Sequence, residues 1–459
     1  MKDMTQGPVS RHILGMAAFI ALSTMFQTLY LLVDLYFVGR LGKEAIAGVG
    51  MAGNQTFLVL ALTQALGVGT TSLIAHALGR KDRDRAELVF NQALLLSGLV
   101  GLVFFLGAFL SRDLYVQRLA ADATTAALGK QYLTWYIPAL SLQFGLVAMG
   151  AALRGLGDVK IPTLIQIATI LANIALAPVL IFGWGTGHAF GVAGAAMASF
   201  IAILLGFVAM VAYFEHETSH LRIRFAQWLP QLAVWRGILK IGLPAGGEFV
   251  LIAVYLVIVY VIIRPFGAAA QAGFGIGGRV MQSMFLPAVA IAFATSPVAG
   301  QNFGARRGDR VRQAFTVAVT MTGSVMVVLT ALCHIAPEGM IRIFNTDPAV
   351  VAVGAEYLRI VSWNFIASGI VFCSSSVFQA MGNSFPPLIS SGTRMLTFAV
   401  PAVAMSHRPW FQLHHVWYLS VATVAAQMLV NLALLRREFR RKLSFDTAPA
   451  AALVPPMEA

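Results

Sequence analysis

Long apolar runs separated by short polar segments make up most of the chain. A helix needs about 20 apolar residues to cross roughly 30 Å of hydrocarbon, and these runs are too long and too continuous for the strands of a membrane barrel. We therefore predict an all-α polytopic membrane protein. Its twelve predicted membrane-spanning helices, called spans 1 to 12, cover residues 13–38, 46–78, 88–110, 129–153, 162–183, 189–213, 238–263, 268–300, 311–335, 354–380, 386–406 and 415–435.

Composition and charge agree with this class. Apolar residues make up 58% of the chain and charged residues 11%, whereas soluble domains contain about 25% charged residues. The net charge of +13 comes from short basic clusters between the spans, concentrated on the side that holds both chain ends. Because basic loops favour the cytoplasm, we predict that both termini are cytoplasmic and that the charge does not indicate a nucleic-acid partner.

The second half of the chain repeats the first. Gly42–Gly53 aligns with Gly267–Gly278, 225 positions later, at six identical residues. The same offset brings Tyr132 to Tyr357. Six spans return the chain to the side on which it started, so both halves have the same orientation. Parallel repeats of this kind are typical of transporters that alternate access to a central site.

The repeat defines the predicted domain organisation. An N-lobe over residues 1–213 holds spans 1 to 6, and a polar, basic cytoplasmic linker follows over residues 214–240. A C-lobe over residues 241–440 holds spans 7 to 12. We expect residues 441–459 to form a disordered cytoplasmic tail.

Two acidic residues lie well inside apolar runs, Asp34 in span 1 and Glu248 in span 7, out of 19 in the chain. Insertion scales assign an Asp at the centre of a membrane helix about 2.5–3.5 kcal/mol, so such residues are rarely present without a use. Asp34 is our first candidate for a coupling residue that exchanges a proton or Na⁺ for a cationic substrate. The alternative is an Asp held by hydrogen bonds for packing alone.

Glu248 is predicted to pair with Arg279. Counted from the outer ends of spans 7 and 8, the two residues lie at comparable depth on neighbouring antiparallel helices. Opposite charges at close range compensate each other in an apolar environment. We expect a structural tie or gate between the spans, with a direct role of Glu248 in binding cation or substrate as the alternative.

The usual motifs of enzymes are missing from the sequence. It contains no P-loop lysine motif, no H-E-x-x-H and no G-x-S-x-G. Two G-x-G-x-x-G matches, at residues 48–53 and 273–278, lie inside spans and are better explained by close helix packing. We therefore expect a protein that is not an enzyme, has no cofactor or resident metal, and takes its energy from an ion gradient.

Over roughly residues 10–440 the chain resembles the multidrug and toxic compound extrusion (MATE) transporters. The resemblance implies a twelve-helix pair of lobes that exports drugs and other amphipathic, often cationic compounds in exchange for H⁺ or Na⁺. It rests on the segments Val33-Asp34, Gly39–Gly42, Arg154–Asp158, Asn173–Pro178, Gly191–Ala196, Gly242–Pro244 and Gly300–Gly304.

The resemblance also implies site residues. Asp34 corresponds to the acidic residue of the N-lobe in this family, with Tyr30, Tyr132 and Asn173 lining the same cavity. Tyr30 precedes Asp34 by four residues and so shares its helical face, and Asn173 lies in an apolar span, where helix packing is the alternative role. The chain departs from the family pattern at Ala177, where many members have Asp or Asn, and in span 10, which has no carboxylate.

An alternative function is a flippase of lipid-linked saccharide precursors, which shares the lobes of the wider superfamily but usually has about fourteen spans. For either function we expect a multi-pass protein of the bacterial inner membrane that acts on a small amphipathic molecule within the lipid bilayer. We expect it to be a monomer.

Overall fold

The computed structural model describes residues 3–216 and 221–445, and this part of the chain is helical without any strand. Two short 3₁₀ turns, at residues 225–227 and 264–266, accompany the α-helices. The α-helices are α1 (Val9–Gly39), α2 (Lys43–Gly50), α3 (Ala52–Gly79), α4 (Arg83–Leu119), α5 (Ala123–Gly155), α6 (Lys160–Phe182), α7 (Gly191–His216), α8 (Leu232–Ile263), α9 (Ala268–Gly304), α10 (Gly308–Ile335), α11 (Pro337–Arg342), α12 (Pro348–Val361), α13 (Asn364–Ala380), α14 (Phe385–Ser406) and α15 (Leu413–Lys442).

Eleven helical segments of the described chain are long and apolar enough to cross a membrane, and α12 with α13 adds a twelfth if this bent pair is one span. The predicted all-α polytopic fold is confirmed. The pair bends by 54° at the break between Val361 and Asn364. There the hydroxyl of Thr330 in α10 donates to the carbonyl oxygen of Ser362 at 3.2 Å. A side chain that enters the hydrogen-bond ladder in this way is a known cause of helix kinks.

The sequence repeat recurs in the helix boundaries. α2 begins at Lys43 and α9 at Ala268, 225 positions later. The same offset separates the first residues of α4 and α10, of α5 and α12, and of α6 and α14. The repeat therefore extends from individual residues to whole helices.

The chain divides into two compact units. The first consists mainly of Phe19–Leu243, and the second of Met4–Ala18 together with the chain from Pro244 onward. Both boundaries fall inside helices, α1 and α8, and they too are 225 positions apart. Each of these helices therefore begins in one unit and continues in the other.

In the first unit α5 packs against α2, α3, α4 and α7. Buried aromatic and aliphatic side chains fill these contacts; for example, the rings of Phe90 and Phe214 stack with centroids 4.5 Å apart. The start of α8 also belongs to this unit and lies directly on α3. A Cβ atom at Gly242 would overlap the backbone oxygen of Ala65, and one at Gly69 that of Ile238. Close approach of these two backbones therefore requires glycine.

In the second unit α9 packs against α10, α12 and α13, and α15 packs against α13 and α14. Its core is rich in aromatic residues. The rings of Phe274 and Trp417 stack with centroids 5.6 Å apart, and the ring of Tyr357 meets that of Trp417 edge-on at 4.9 Å.

Residues Leu221–Gln231, called the linker strap, are held against α4 by two fully buried amides. Asn91 donates to the carbonyl of Arg222 at 2.9 Å and accepts from the backbone N–H of Arg224 at 2.8 Å. Gln92 bonds three more backbone groups of the strap, at 2.5, 2.8 and 2.9 Å. The strap is thus fixed to the first unit by side chains that satisfy its backbone.

Residues Met4–Pro8, called the N-terminal strap, are fixed to the second unit in the same manner. Asn302 donates to the carbonyl of Met4 at 3.1 Å, and the guanidinium of Arg310 donates to the carbonyl of Gly7 at 2.9 Å. The side chain of Met4 is fully buried. Each strap precedes the first helix of a half and packs on the unit of the other half.

The predicted linker and tail differ in part from what the structure contains. Residues 232–240, assigned to the linker, form the first turns of α8, and α7 continues to His216. The predicted tail begins within α15, which ends at Lys442. From residue 446 onward the predicted tail lies outside the described residues.

Candidate functional site

Asp34 lies five residues before the end of α1 and is half-buried. Its Oδ1 atom is buried and has no hydrogen-bond partner among the described residues. Buried polar atoms are nearly always hydrogen-bonded, and each one left unpaired is energetically unfavourable. The Asp34 carboxylate therefore keeps an acceptor atom with which it can bind a proton or a cation.

Three tyrosines lie close enough to this carboxylate to interact with it electrostatically. Tyr30 lies one turn before Asp34 on α1, while Tyr132 and Tyr136 lie one turn apart on α5, and all three interact electrostatically with Asp34. The rings of Tyr132 and Tyr136 are 4.9 Å apart, and the Tyr136 hydroxyl lies 3.1 Å from the hydroxyl of Thr56. The acid is thus placed among aromatic faces and hydroxyl groups, a combination suited to an amphipathic cation.

Ser199 on α7 connects two of the predicted site residues. Its hydroxyl lies 3.0 Å from that of Tyr30 and accepts from the amide of Asn173 at 3.1 Å. Within the described chain no hydrogen bond joins Asp34 to Tyr30, Tyr132 or Asn173. The structure brings the predicted residues into one polar cluster, with the serine in direct contact with the tyrosine and the asparagine.

The second unit holds a related cluster. The Tyr255 hydroxyl on α8 lies 3.0 Å from the Ser420 hydroxyl on α15, and Ser420 accepts from the amide of Asn364 at 3.2 Å. Tyr255 and Tyr357 stand 225 positions after Tyr30 and Tyr132. The tyrosine–serine–asparagine arrangement is therefore repeated, although the asparagine comes from α13 rather than from α14, the counterpart of α6.

The structure does not bring Glu248 and Arg279 together. Oε2 of Glu248 accepts from the hydroxyl of Ser375 at 3.4 Å, and Oε1 is buried without a hydrogen-bond partner among the described residues. Arg279 is exposed, and no ion pair joins it to Glu248 in the described part of the chain. Comparable depth in two helices does not set the direction in which the side chains point, and in the structure Glu248 is half-buried while Arg279 is exposed.

Sequence reasoning missed Tyr136 and Ser199 in the N-lobe, and Tyr255 and Ser420 in the C-lobe. Two of these carried a usable signal. Tyr136 follows Tyr132 by four residues and so shares its helical face, and Tyr255 stands at the repeat position of Tyr30. The two serines carried no such signal, because a serine in an apolar helix most often bonds its own backbone.

Two repeated six-helix halves, with an unpaired carboxylate and a tyrosine cluster inside an apolar helix bundle, define an integral membrane transporter. The MatE family model matches residues 20–179 and 244–404, one segment in each half. The chain therefore belongs to the MatE family, the MATE transporters.

Relatives of known name extend over nearly the whole chain. The probable multidrug resistance protein YoeA of Bacillus subtilis is 26% identical over 419 residues, which cover 90% of each chain. The multidrug export protein MepA of Staphylococcus aureus is 23% identical and covers 96% of this chain and 97% of its own. The FAD transporter of Shewanella oneidensis is also 23% identical, over 88% of this chain and 90% of its own.

Solved structures show the same fold. A multidrug resistance MATE family transporter of the MOP superfamily, in an outward-facing conformation, has a TM-score of 0.89 at 22% identity and covers 96% of this chain and 98% of its own. A MOP superfamily transporter from Pyrococcus furiosus, described as having a binding pocket of reverse polarity, has a TM-score of 0.88 at 23% identity and covers 95% and 97%.

Proposed function

We propose that this protein is a secondary active antiporter that exports amphipathic, cationic compounds in exchange for H⁺ or Na⁺. The observation that carries the proposal is the Asp34 carboxylate, which has a buried, unpaired oxygen and interacts electrostatically with three tyrosines. The names of the relatives YoeA and MepA, which refer to multidrug resistance and export, support the class of substrate.

The chemistry of exchange follows from a single negative charge. A partly buried carboxylate is stabilised by one bound cation, so the coupling ion and a cationic substrate compete for Asp34. Tyr30, Tyr132 and Tyr136 offer aromatic faces that attract an organic cation. A substrate that arrives from one side therefore displaces the ion, and the ion displaces the substrate on the other side.

The same proposal covers the setting of the protein. We infer a monomer in the bacterial inner membrane with both termini in the cytoplasm and with no cofactor besides the coupling ion. The basic segments between the spans support this orientation. A flippase of lipid-linked saccharides is the weaker alternative, because YoeA and MepA carry names from drug resistance and export.

Transport by purified protein in proteoliposomes tests the proposal. A pH gradient and a Na⁺ gradient are applied separately, with ethidium as the cationic substrate, and the gradient that drives export identifies the ion. Asp34→Asn is expected to lower ion-driven export at least about tenfold, because the amide cannot exchange a proton and holds a cation weakly. Asp84→Asn, an exposed acid in the first turn of α4, is the matched control. Export at the wild-type rate by Asp34→Asn would remove Asp34 from the mechanism.

A further inference from the structure

The second unit contains a partly buried arginine to which the antiporter proposal gives no role. Arg394 is the tenth residue of α14 and is half-buried. Its Nε atom is buried without a hydrogen-bond partner, and no carboxylate of the described chain forms an ion pair with the guanidinium. An arginine inside a membrane helix is unfavourable and usually faces the protein interior, where it marks a binding site or pathway.

Arg394 lies beside the cluster of Tyr255, Ser420 and Asn364 in the second unit, called here the C-lobe cluster. The guanidinium lies over the ring of Tyr255, 4.9 Å from its centroid, and interacts electrostatically with Tyr357. Trp417 meets Tyr357 at 4.9 Å, and its buried Nε1–H also has no acceptor among the described residues. Two unpaired N–H donors, one on Arg394 and one on Trp417, thus lie near the same tyrosine.

The repeat shows that this cluster occupies the position of the Asp34 cluster in its own half. Tyr255 corresponds to Tyr30 at the common offset of 225 positions. At the same offset Val259 replaces Asp34, so the acid is lost, and Arg394 replaces Thr169, so a cation is gained. The two related sites therefore carry charges of opposite sign.

Glu248 does not neutralise this arginine in the structure. It precedes Tyr255 by seven residues on α8, which places it two turns, or about 10 Å, away along the helix. One of its oxygens accepts from Ser375, and no ion pair with Arg394 is present in the described chain. The positive charge of the C-lobe cluster therefore has no ion-pair partner among the described residues.

We propose that the C-lobe cluster is a binding site for the carboxylate of an aromatic substrate. Arginine binds carboxylates through paired N–H donors, and the rings of Tyr255 and Tyr357 provide aromatic contact. The Trp417 N–H is a further unpaired donor, buried beside Tyr357. The inference rests on the export function proposed above and extends its substrates to amphipathic compounds that carry a carboxylate. It assigns a role to a group that cation export alone does not require.

Three substrates that differ in their charged groups distinguish the effect of the carboxylate from that of the rest of the molecule. Norfloxacin carries an aromatic carboxylate and an ammonium group, its methyl ester lacks the carboxylate, and ethidium has only the positive charge. A charge-assisted hydrogen bond contributes about 1.5–3 kcal/mol, which corresponds to roughly ten- to hundredfold in affinity. In Arg394→Gln we expect the KM for norfloxacin export to rise at least about tenfold relative to the KM for the ester. Arg394→Lys should recover part of this ratio, and Arg279→Gln, an exposed arginine of α9, is the matched control.

If Arg394→Gln impairs the export of norfloxacin, the ester and ethidium equally, Arg394 serves the structure. If the KM for norfloxacin relative to that for the ester does not change, Arg394 does not bind the carboxylate. Either result overturns the site. If the wild-type protein exports none of the three, the antiporter proposal fails by itself. Calorimetric titration of purified protein with norfloxacin and with its ester then decides the anion site. Tighter binding of norfloxacin that Arg394→Gln removes supports it, and equal affinity of wild type and variant refutes it.

Discussion

Replacement of Asn91 by alanine should release the linker strap from α4. Asn91 is fully buried and forms four hydrogen bonds to the strap. Its amide nitrogen donates to the Arg222 carbonyl at 2.9 Å and to Gln227 Oε1 at 3.1 Å. Its oxygen accepts from the Arg224 backbone at 2.8 Å and from the Trp228 indole at 3.3 Å. Alanine removes all four bonds and leaves a space that water can reach when the strap opens.

The size of the effect follows from these bonds. Each neutral hydrogen bond contributes about 1 kcal/mol net, and water replaces part of the loss at a segment near the surface. Gln92 continues to hold the strap. We therefore expect the free energy of local opening to fall by about 2 kcal/mol, which corresponds to roughly a thirtyfold larger population of the open strap.

Trypsin provides the assay, because Arg222 and Arg224 are exposed cleavage sites within the strap. When opening and closing are fast, the cleavage rate follows the open population, so cleavage between α7 and α8 in detergent-solubilised Asn91→Ala should be about thirtyfold faster. Asn54→Ala, which affects only one bond of 3.5 Å at an exposed asparagine, is the control. Cleavage of Asn91→Ala at the wild-type rate would refute the strap energetics.

Two further predictions concern helix packing and the second intramembrane acid. Gly242→Ala forces a Cβ atom against the backbone of Ala65, so we expect the free energy of unfolding to fall by at least about 2 kcal/mol and the Tm in detergent to be lower. Gly323→Ala, at a position with open space around the glycine, should leave the Tm near that of the wild type. Glu248→Gln and Arg279→Gln should change the Tm additively, because the two side chains form no ion pair in the described chain; a double variant more stable than the sum of the single changes would show that they pair.

The spans, the repeat and Asp34 could be predicted because each depends on a strong local signal. About 20 apolar residues are needed to cross the hydrocarbon, whatever the rest of the fold does. A charge within such a run is so unfavourable that its presence alone identifies a candidate site. Neither argument requires knowledge of which helices are neighbours.

The contacts of Glu248 could not be predicted because they depend on rotation about the helix axis. Sequence position gives the depth of Glu248 and Arg279, and the pairing was inferred from depth alone. The structure turns Arg279 outward and places Ser375 beside the acid. The bend between α12 and α13 was missed for a similar reason. No proline or glycine marks Ser362, and the hydroxyl that accompanies the break comes from Thr330 on another helix.

The first turns of α1 belong to the second unit and those of α8 to the first, and this exchange bears on the origin of such a chain. Each half contributes a strap and a helix start that complete the other half's unit, at boundaries after Ala18 and after Leu243. A six-helix protein built on this plan would lack one packed segment as a single copy and would regain it from a second copy, as a swapped dimer. Fusion of two such copies places both segments on one chain, and the separate halves are then not expected to be stable on their own.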